Sequence, residues 1–285
     1  MESLNKTEEG KAEIFRLYDE KLAEIKVSIN TKLIDTSFGK TNILITGDIS
    51  KPPIIVIHGS NGCAPIAIET YIDLKDAFCI YAVDVLAQPN KSAETRLSMK
   101  DNSYGEWINE VIDALQIKDV TLAGFSFGGL IILKTLITNE SKIKEVFLSA
   151  PAYIVNGNPL KAIFKFFIPM KLFMKTKKAK YLERFLAVTF TAQDKFAFNY
   201  LSIVFLNFKM DFTPIPVIKA SDASKIKTPI TLIAAENDIV FPGTKMIKRA
   251  KKIFPSLKHT LLLKNSKHVQ NKKDNHTIAK LISKN

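Results

Sequence analysis

The run Val120-Thr121-Leu122-Ala123-Gly124-Phe125-Ser126-Phe127-Gly128-Gly129-Leu130-Ile131-Ile132-Leu133 sets one serine among glycines, at the junction of two apolar segments. The first segment is short and apolar on both faces, as a central parallel strand requires. The second continues to Thr138 and has the length of a helix. Gly124-Phe125-Ser126-Phe127-Gly128 therefore satisfies G-x-S-x-G between a strand and a helix, where the pattern has mechanical meaning. The serine occupies a strained turn, and the flanking glycines leave space where side chains would meet backbone. Such a turn exposes the hydroxyl and sets the N–H of Phe127 at a helix N-terminus, facing charge that develops on an oxygen.

Outward from this junction the same kind of apolar run recurs at Ile54–Ile57, Cys79–Val83, Val146–Leu148, Ile230–Ile233 and Leu261–Leu263. Helical stretches at 65–77, 103–115, 127–138, 243–253 and 273–283 lie between most of the runs or after them. Strand and helix alternate, which predicts an α/β fold with a mostly parallel central sheet flanked by helices. Before it, Ile14, Leu17, Leu22 and Ile25 predict an amphipathic helix over 9–25. The alternation Ile25–Ile29 and the run Thr41–Thr46, with the turn Ser37–Lys40, predict a β-hairpin. Nearly eighty residues separate Ala150 from Pro229, too many for an ordinary connection. They hold Phe164–Met174 and Phe196–Phe208, aromatic-rich helical material, and predict a helical cap at 153–220. It is inserted in a core of 1–152 and 221–285, over the carboxyl ends of the strands.

A serine hydroxyl needs a base, and the base needs an acid to orient it. The chain has four histidines, His58, His259, His268 and His276. His268 follows the last strand at the carboxyl edge of the sheet. His259 stands at the start of that strand, and His276 in the terminal helix. For the acid, Asp238 leaves the preceding strand at the same edge, with Glu236 and then Asp211 as rivals. Ser126, Asp238 and His268 follow the chain order Ser…Asp…His.

Composition narrows the classes further. The formal charge of +13 admits an anionic partner, yet no nucleic-acid signature interleaves aromatics with the basic residues. Cys63 and Cys79 lack C-x-x-C spacing and a histidine cluster, so they read as small core residues. The first residues show no basic segment followed by an apolar one, and no run is long enough to span a bilayer, which predicts a cytoplasmic protein. Between 157 and 184 seven lysines and Arg184 face only Glu183. Interleaved with apolar residues, they fit a helix on an anionic membrane or a solvated basic face, and the sequence alone favours the solvated face.

Together these features resemble the α/β-hydrolase superfamily, specifically its carboxylesterase-like members with a helical cap. Thr36–Asn42 is similar to the family's T-x-F-G-x-T-x hairpin, Pro53–Gly59 to the strand leading into its HG loop, and Tyr81–Asp84 to its Y-A-x-D strand end. Asp84–Ser92 corresponds to the family's D-x-x-G-x-G-x-S, with Ala87 and Asn90 replacing glycines, which predicts a loop built differently. The resemblance implies a second oxyanion N–H at Ser60, beside that of Phe127, with His58 and Asp84 as supports of loop geometry. It implies a Ser-His-Asp hydrolase of a small or medium apolar carboxylic ester, working through an acyl-enzyme, with no metal or organic cofactor. A thioester, a C–C bond, or a non-hydrolytic ligand-receptor role would suit the same fold.

Overall fold

The computed structural model describes residues 3–284. The chain opens with α1 (Glu8–Glu24), whose first turn is capped by the Thr7 hydroxyl accepting from the Gly10 N–H. Glu8 and Glu9 then complement the positive end of the helix. A hairpin follows, β1 (Asn30–Thr36) and β2 (Gly39–Thr46). The strand predicted at Ile25–Ile29 lies outside this hairpin. Thr36 pairs with Gly39 across Ser37-Phe38, and the pairing ends with Asn30 opposite Ile45. A tight turn fixes register, so residues before Asn30 have almost no partner left. Ile25 and Ile29 alternate because they pack on the core instead.

The α/β alternation continues with β3 (Pro53–Ile57), α2 (Ala64–Tyr71), β4 (Cys79–Val83), α3 (Ser103–Leu115), β5 (Val120–Phe125), α4 (Phe127–Thr138) and β6 (Ile143–Ser149). Between β6 and the next strand lie α5 (Pro159–Ala162), a π-helical segment Ile163–Phe167, α6 (Ile168–Thr176), α7 (Ala179–Thr189), α8 (Lys195–Asn207) and the short α9 (Ala220–Ala223). The chain closes with β7 (Ile230–Ala235), α10 (Gly243–Ile253), β8 (Leu257–Leu263) and α11 (Lys272–Ile282). The predicted helix over 65–77 ends early, at Tyr71, and tightens into a 3-10 turn through Leu74.

Among the described residues eight strands form one sheet in the order β1-β2-β4-β3-β5-β6-β7-β8. Only the β1–β2 and β2–β4 pairs are antiparallel. β3 lies between β4 and β5, so the chain leaves its middle strand first to one side and then to the other. At such a switch point the following loops part and open a crevice beyond the carboxyl ends of the strands.

The period of two divides the central strands between two cores. Ile55, Ile57 and Leu122 pack with Trp107, Leu130 and Met246 from α3, α4 and α10. Ile54, Val56 and Ala123 face the other way, toward Ile14, Ile68 and Ile278 from α1, α2 and α11. Burial on both faces explains why β3 reads as an unbroken apolar run. Trp107 is fully buried between α3 and the sheet, its Nε1–H donating to Thr41 Oγ1 at 2.8 Å. Cys63 and Cys79 are buried and unpaired. Among the described residues no helix is long and apolar enough to cross a membrane.

α3 approaches α4 closely at Gly105. A β-carbon there would lie 2.3 Å from the Lys134 carbonyl oxygen and 2.5 Å from Thr138 Oγ1. Backbone cannot yield as a flexible side-chain end can, so overpacking must move a whole helix. Gly105→Ala is expected to lower unfolding free energy by about 2–3 kcal/mol in urea melts; an unchanged midpoint would refute this close contact.

Candidate active site

Ser126 occupies the crevice at the end of β5 with φ 53° and ψ −110°. A residue with a side chain is costly in this conformation, so its neighbours must hold it there. They hold it by backbone: the Ser126 N–H donates to Ser149 O at 2.9 Å, and the Ser126 carbonyl accepts from Gly129 and Ala152. Gly128 permits the reversal, since a β-carbon at Gly128 would lie 2.3 Å from the carbonyl oxygen of Ile57. The end of β3 and the start of α4 thus pack backbone against backbone.

Ser126, Asp238 and His268 are distant in sequence and meet in space. His268 Nε2 lies 2.9 Å from Ser126 Oγ, and His268 Nδ1 lies 2.7 Å from Asp238 Oδ2. Asp238 Oδ1 accepts the N–H groups of Val240 and Phe241, at 2.7 and 2.9 Å. A carboxylate can only accept, so Nδ1 carries the imidazole proton and Nε2 is left to accept from the serine. All three side chains are buried, and Phe125 and Phe241 pack their rings against the His268 imidazole. The rivals are engaged with other partners, although Asp211 also lines the cavity above the site. Glu236 accepts from Lys264 and Asn265, Asp211 from the Thr213 N–H, and His276 pairs with Asp73. His259 lies exposed on β8.

The loop after β3 brings Ser60 to the same place. Gly59 passes so near Ser126 that a β-carbon there would lie 2.9 Å from the Phe125 ring and 3.3 Å from Ser126 Cβ. Among the described residues no acceptor engages the backbone N–H of Ser60 or of Phe127. His58 is buried beneath this loop. The Val85 N–H donates to its Nε2 at 3.0 Å, so Nδ1 carries the proton and donates to Gly59 O at 2.8 Å. Asp84 Oδ1 accepts the first helical N–H of α2, from Ala64, while Oδ2 accepts from Tyr18 and Asn42.

Ala87 and Asn90, at the positions where the resemblance has glycines, are held by different means. Ala87 takes φ 55° despite its β-carbon. Asn90 is buried, with its amide donating to Val85 O and its oxygen accepting from Ser92 N–H. Sequence reading missed Gln88, whose Oε1 accepts from Asn61 N–H at 2.7 Å and ties the two loops. It also missed Thr191, whose Oγ1 accepts from Lys267 N–H and donates to Val269 O. Neither residue type nor spacing marks such partners, because each acts through a backbone group distant in sequence.

A cavity of about 1310 Å³ opens above Ser126 and His268. Phe166, Phe167, Phe185, Phe190 and Phe196 from the segment between β6 and β7 line it. Phe173 serves the core, and Phe164 is exposed.

A family model described as alpha/beta hydrolase fold matches residues 52–195. An uncharacterized carboxylesterase, nap, of Bacillus subtilis (strain 168) is 28% identical over 138 residues, 48% of this chain and 46% of its own length. Carboxylesterase YbfK of the same organism is 27% identical over 138 residues, 48% of this chain and 47% of its own. The chain thus spans about half the length of the curated relatives it matches. The crystal structure of naproxen esterase (carboxylesterase NP) from Bacillus subtilis superposes with a TM-score of 0.85, at 19% identity, over 98% of each chain. That last likeness is one of fold.

Two buried titratable groups hold the loops, and they respond to acid in opposite senses. Burial lowers His58 to about 4, so between about pH 6.5 and 4 the unfolded chain binds a proton that the folded protein refuses. His58 therefore costs stability as pH falls through that window. Burial raises Asp84 to about 6, against its hydrogen bonds from Ala64, Asn42 and Tyr18. Between about pH 6 and 4 the folded protein protonates first, and Asp84 adds stability as pH falls. The two nearly offset in the native chain. In Asp84→Asn only the His58 loss remains, so unfolding free energy is expected to drop roughly 3 kcal/mol more than in the native protein from pH 7 to 4. Equal acid dependence of the two proteins in urea melts would contradict this.

Proposed function

The chain belongs to the alpha/beta hydrolase family, and from that premise we propose that it is a serine carboxylesterase. In this reading Ser126 is the nucleophile, His268 the general base and acid, and Asp238 the orienting carboxylate, with the N–H groups of Ser60 and Phe127 as oxyanion donors. The observation that carries the reading is the hydrogen-bonded chain from Asp238 through His268 to Ser126 beneath an apolar cavity. Residues 153–220 act as the cap that forms the roof of that cavity.

His268 Nε2 takes the Ser126 proton as Oγ attacks the ester carbonyl carbon, and Asp238 favours the imidazolium that forms. Negative charge develops on the carbonyl oxygen. The N–H groups of Ser60 and Phe127, which no acceptor engages among the described residues, serve in this reading as its donors. His268 returns the proton to the leaving alcohol, and the bond to that alcohol breaks to give the acyl-enzyme. Water, deprotonated by the same imidazole, then releases the acid and regenerates Ser126. Phe125 and Phe241 pack beside the imidazole of His268, which is itself buried, and a drier surround strengthens its polar contacts. The cavity exceeds the usual range for drug-sized ligands of about 300–1,000 Å³, so it has room for an extended apolar acyl or alcohol chain.

Hydrolysis of p-nitrophenyl esters from acetate to decanoate tests the reading. Ser126→Ala is expected to reduce kcat/KM by roughly 10⁴–10⁶-fold, and undiminished turnover in that variant would sink the assignment. Folded native protein without turnover of any ester would point to another scissile bond or to a ligand-binding role. Thr191→Val separates positioning from binding. It removes two hydrogen bonds from the His268 loop without touching the nucleophile, so kcat should fall about fivefold or more while KM stays within about twofold. A rise in KM at constant kcat would contradict the positioning role.

A further inference from the structure

The helical run from Pro159 to Thr176 is apolar on two sides. Phe166 and Ala162 face the cavity, and Met170 and Phe173 are buried against α7 and α8. A second row, Leu160, Ile163, Phe164, Phe167 and Ile168, is open to solvent, with Phe164 66% and Leu160 63% exposed. The row runs through α5, the π-helical segment and the start of α6, and all five of its side chains are exposed, as a helix face awaiting a partner would be. Among the described residues nothing covers it. An exposed contiguous apolar patch of this kind marks an interaction surface.

Charge selects the partner. Lys161, Lys165, Lys171 and Lys175 border the row and are exposed. Among the described residues none of them forms an ion pair. Lys171 lies over the Phe212 ring at 3.7 Å, and Phe212 is itself 40% exposed at the rim of the cavity. Two copies joined through this row would bring lysine borders together, so self-association is opposed. Lysines beside an apolar stripe can bury their stems and extend their ammonium groups to phosphate, as in helices that lie in a bilayer interface. Phe167 belongs both to the row and to the cavity lining, so the row borders the way in.

We infer that this face docks on an anionic lipid bilayer and admits ester substrate from it. The substrate half rests on the esterase reading; the docking half does not. The cation-flanked stripe supplies apolar insertion and headgroup attraction together, and the adjoining mouth receives a chain that leaves the bilayer without crossing water.

Flotation with vesicles of phosphatidylcholine alone, or mixed with phosphatidylglycerol, tests docking without turnover, because it is read on Ser126→Ala protein. Binding is expected to the mixed vesicles only and to weaken with salt. It should fall about tenfold in Leu160→Gln/Phe164→Gln and in Lys161→Glu/Lys165→Glu, with unchanged circular dichroism in both. No flotation of folded protein would overturn the proposal. So would binding that the Leu160/Phe164 exchange leaves intact, which would mark a plain basic face, or a concentration-dependent dimer abolished by that exchange. If the protein floats and cleaves dissolved esters but never an ester held in the mixed vesicles, the substrate half fails and docking stands.

Discussion

Ser126 with φ near +53° is the constraint on which much of the molecule depends. A side chain in that region costs of order 1–3 kcal/mol, and it persists only where surrounding structure leaves no alternative. The surroundings here are the centre of the sheet. β5 is hydrogen-bonded on both sides, to β3 and β6, and cannot slide. α4 begins at the next residue and presses Gly128 on the Ile57 carbonyl. The tight approach forces the turn, and the turn lifts the hydroxyl clear of both core layers.

The other participants are aimed by less rigid means. Asp238 and His268 leave β7 and β8 on loops, where backbone hydrogen bonds replace sheet pairing. The end of α7 and the residues just after it supply several of them, with Thr189 O accepting from Val269 N–H and Thr191 N–H donating to Val269 O. The helices above the site therefore do more than enclose it, because the same segment lines the cavity and holds the imidazole loop. On the other side, buried Asp84 and His58 bind the loop that carries Ser60. Burial shifts the two groups in opposite directions, His58 down and Asp84 up, so their contributions to stability oppose each other as pH falls.

The parts of this arrangement legible in sequence are those with a local signature. Strand runs that are apolar on both faces, a glycine-flanked serine between strand and helix, and the position of His268 after the last strand are each visible within a few residues. The displaced first strand shows the limit: Ile25, Val27 and Ile29 alternate as strand residues do, yet the turn at Ser37-Phe38 sets where pairing stops. Ala87 and Asn90 show another, since a positive φ at alanine and a buried amide replacing a glycine depend on neighbours across the fold. Gln88 and Thr191 carry no signature of any kind. Their partners are backbone groups 27 and 76 to 78 residues away.

The aromatic residues between β6 and β7 pose the same problem in composition. Phenylalanines at 164, 166, 167 and 173 are alike in sequence, and they divide in space among solvent, cavity, rim and core. A helix that hides one apolar side ordinarily turns a polar one outward. This one turns Leu160 and Phe164 outward between lysines, so hydrophobic free energy that folding would normally gain is left unrealised. An exposed stripe there is explicable if burial happens elsewhere, on a surface that supplies both apolar contact and negative charge.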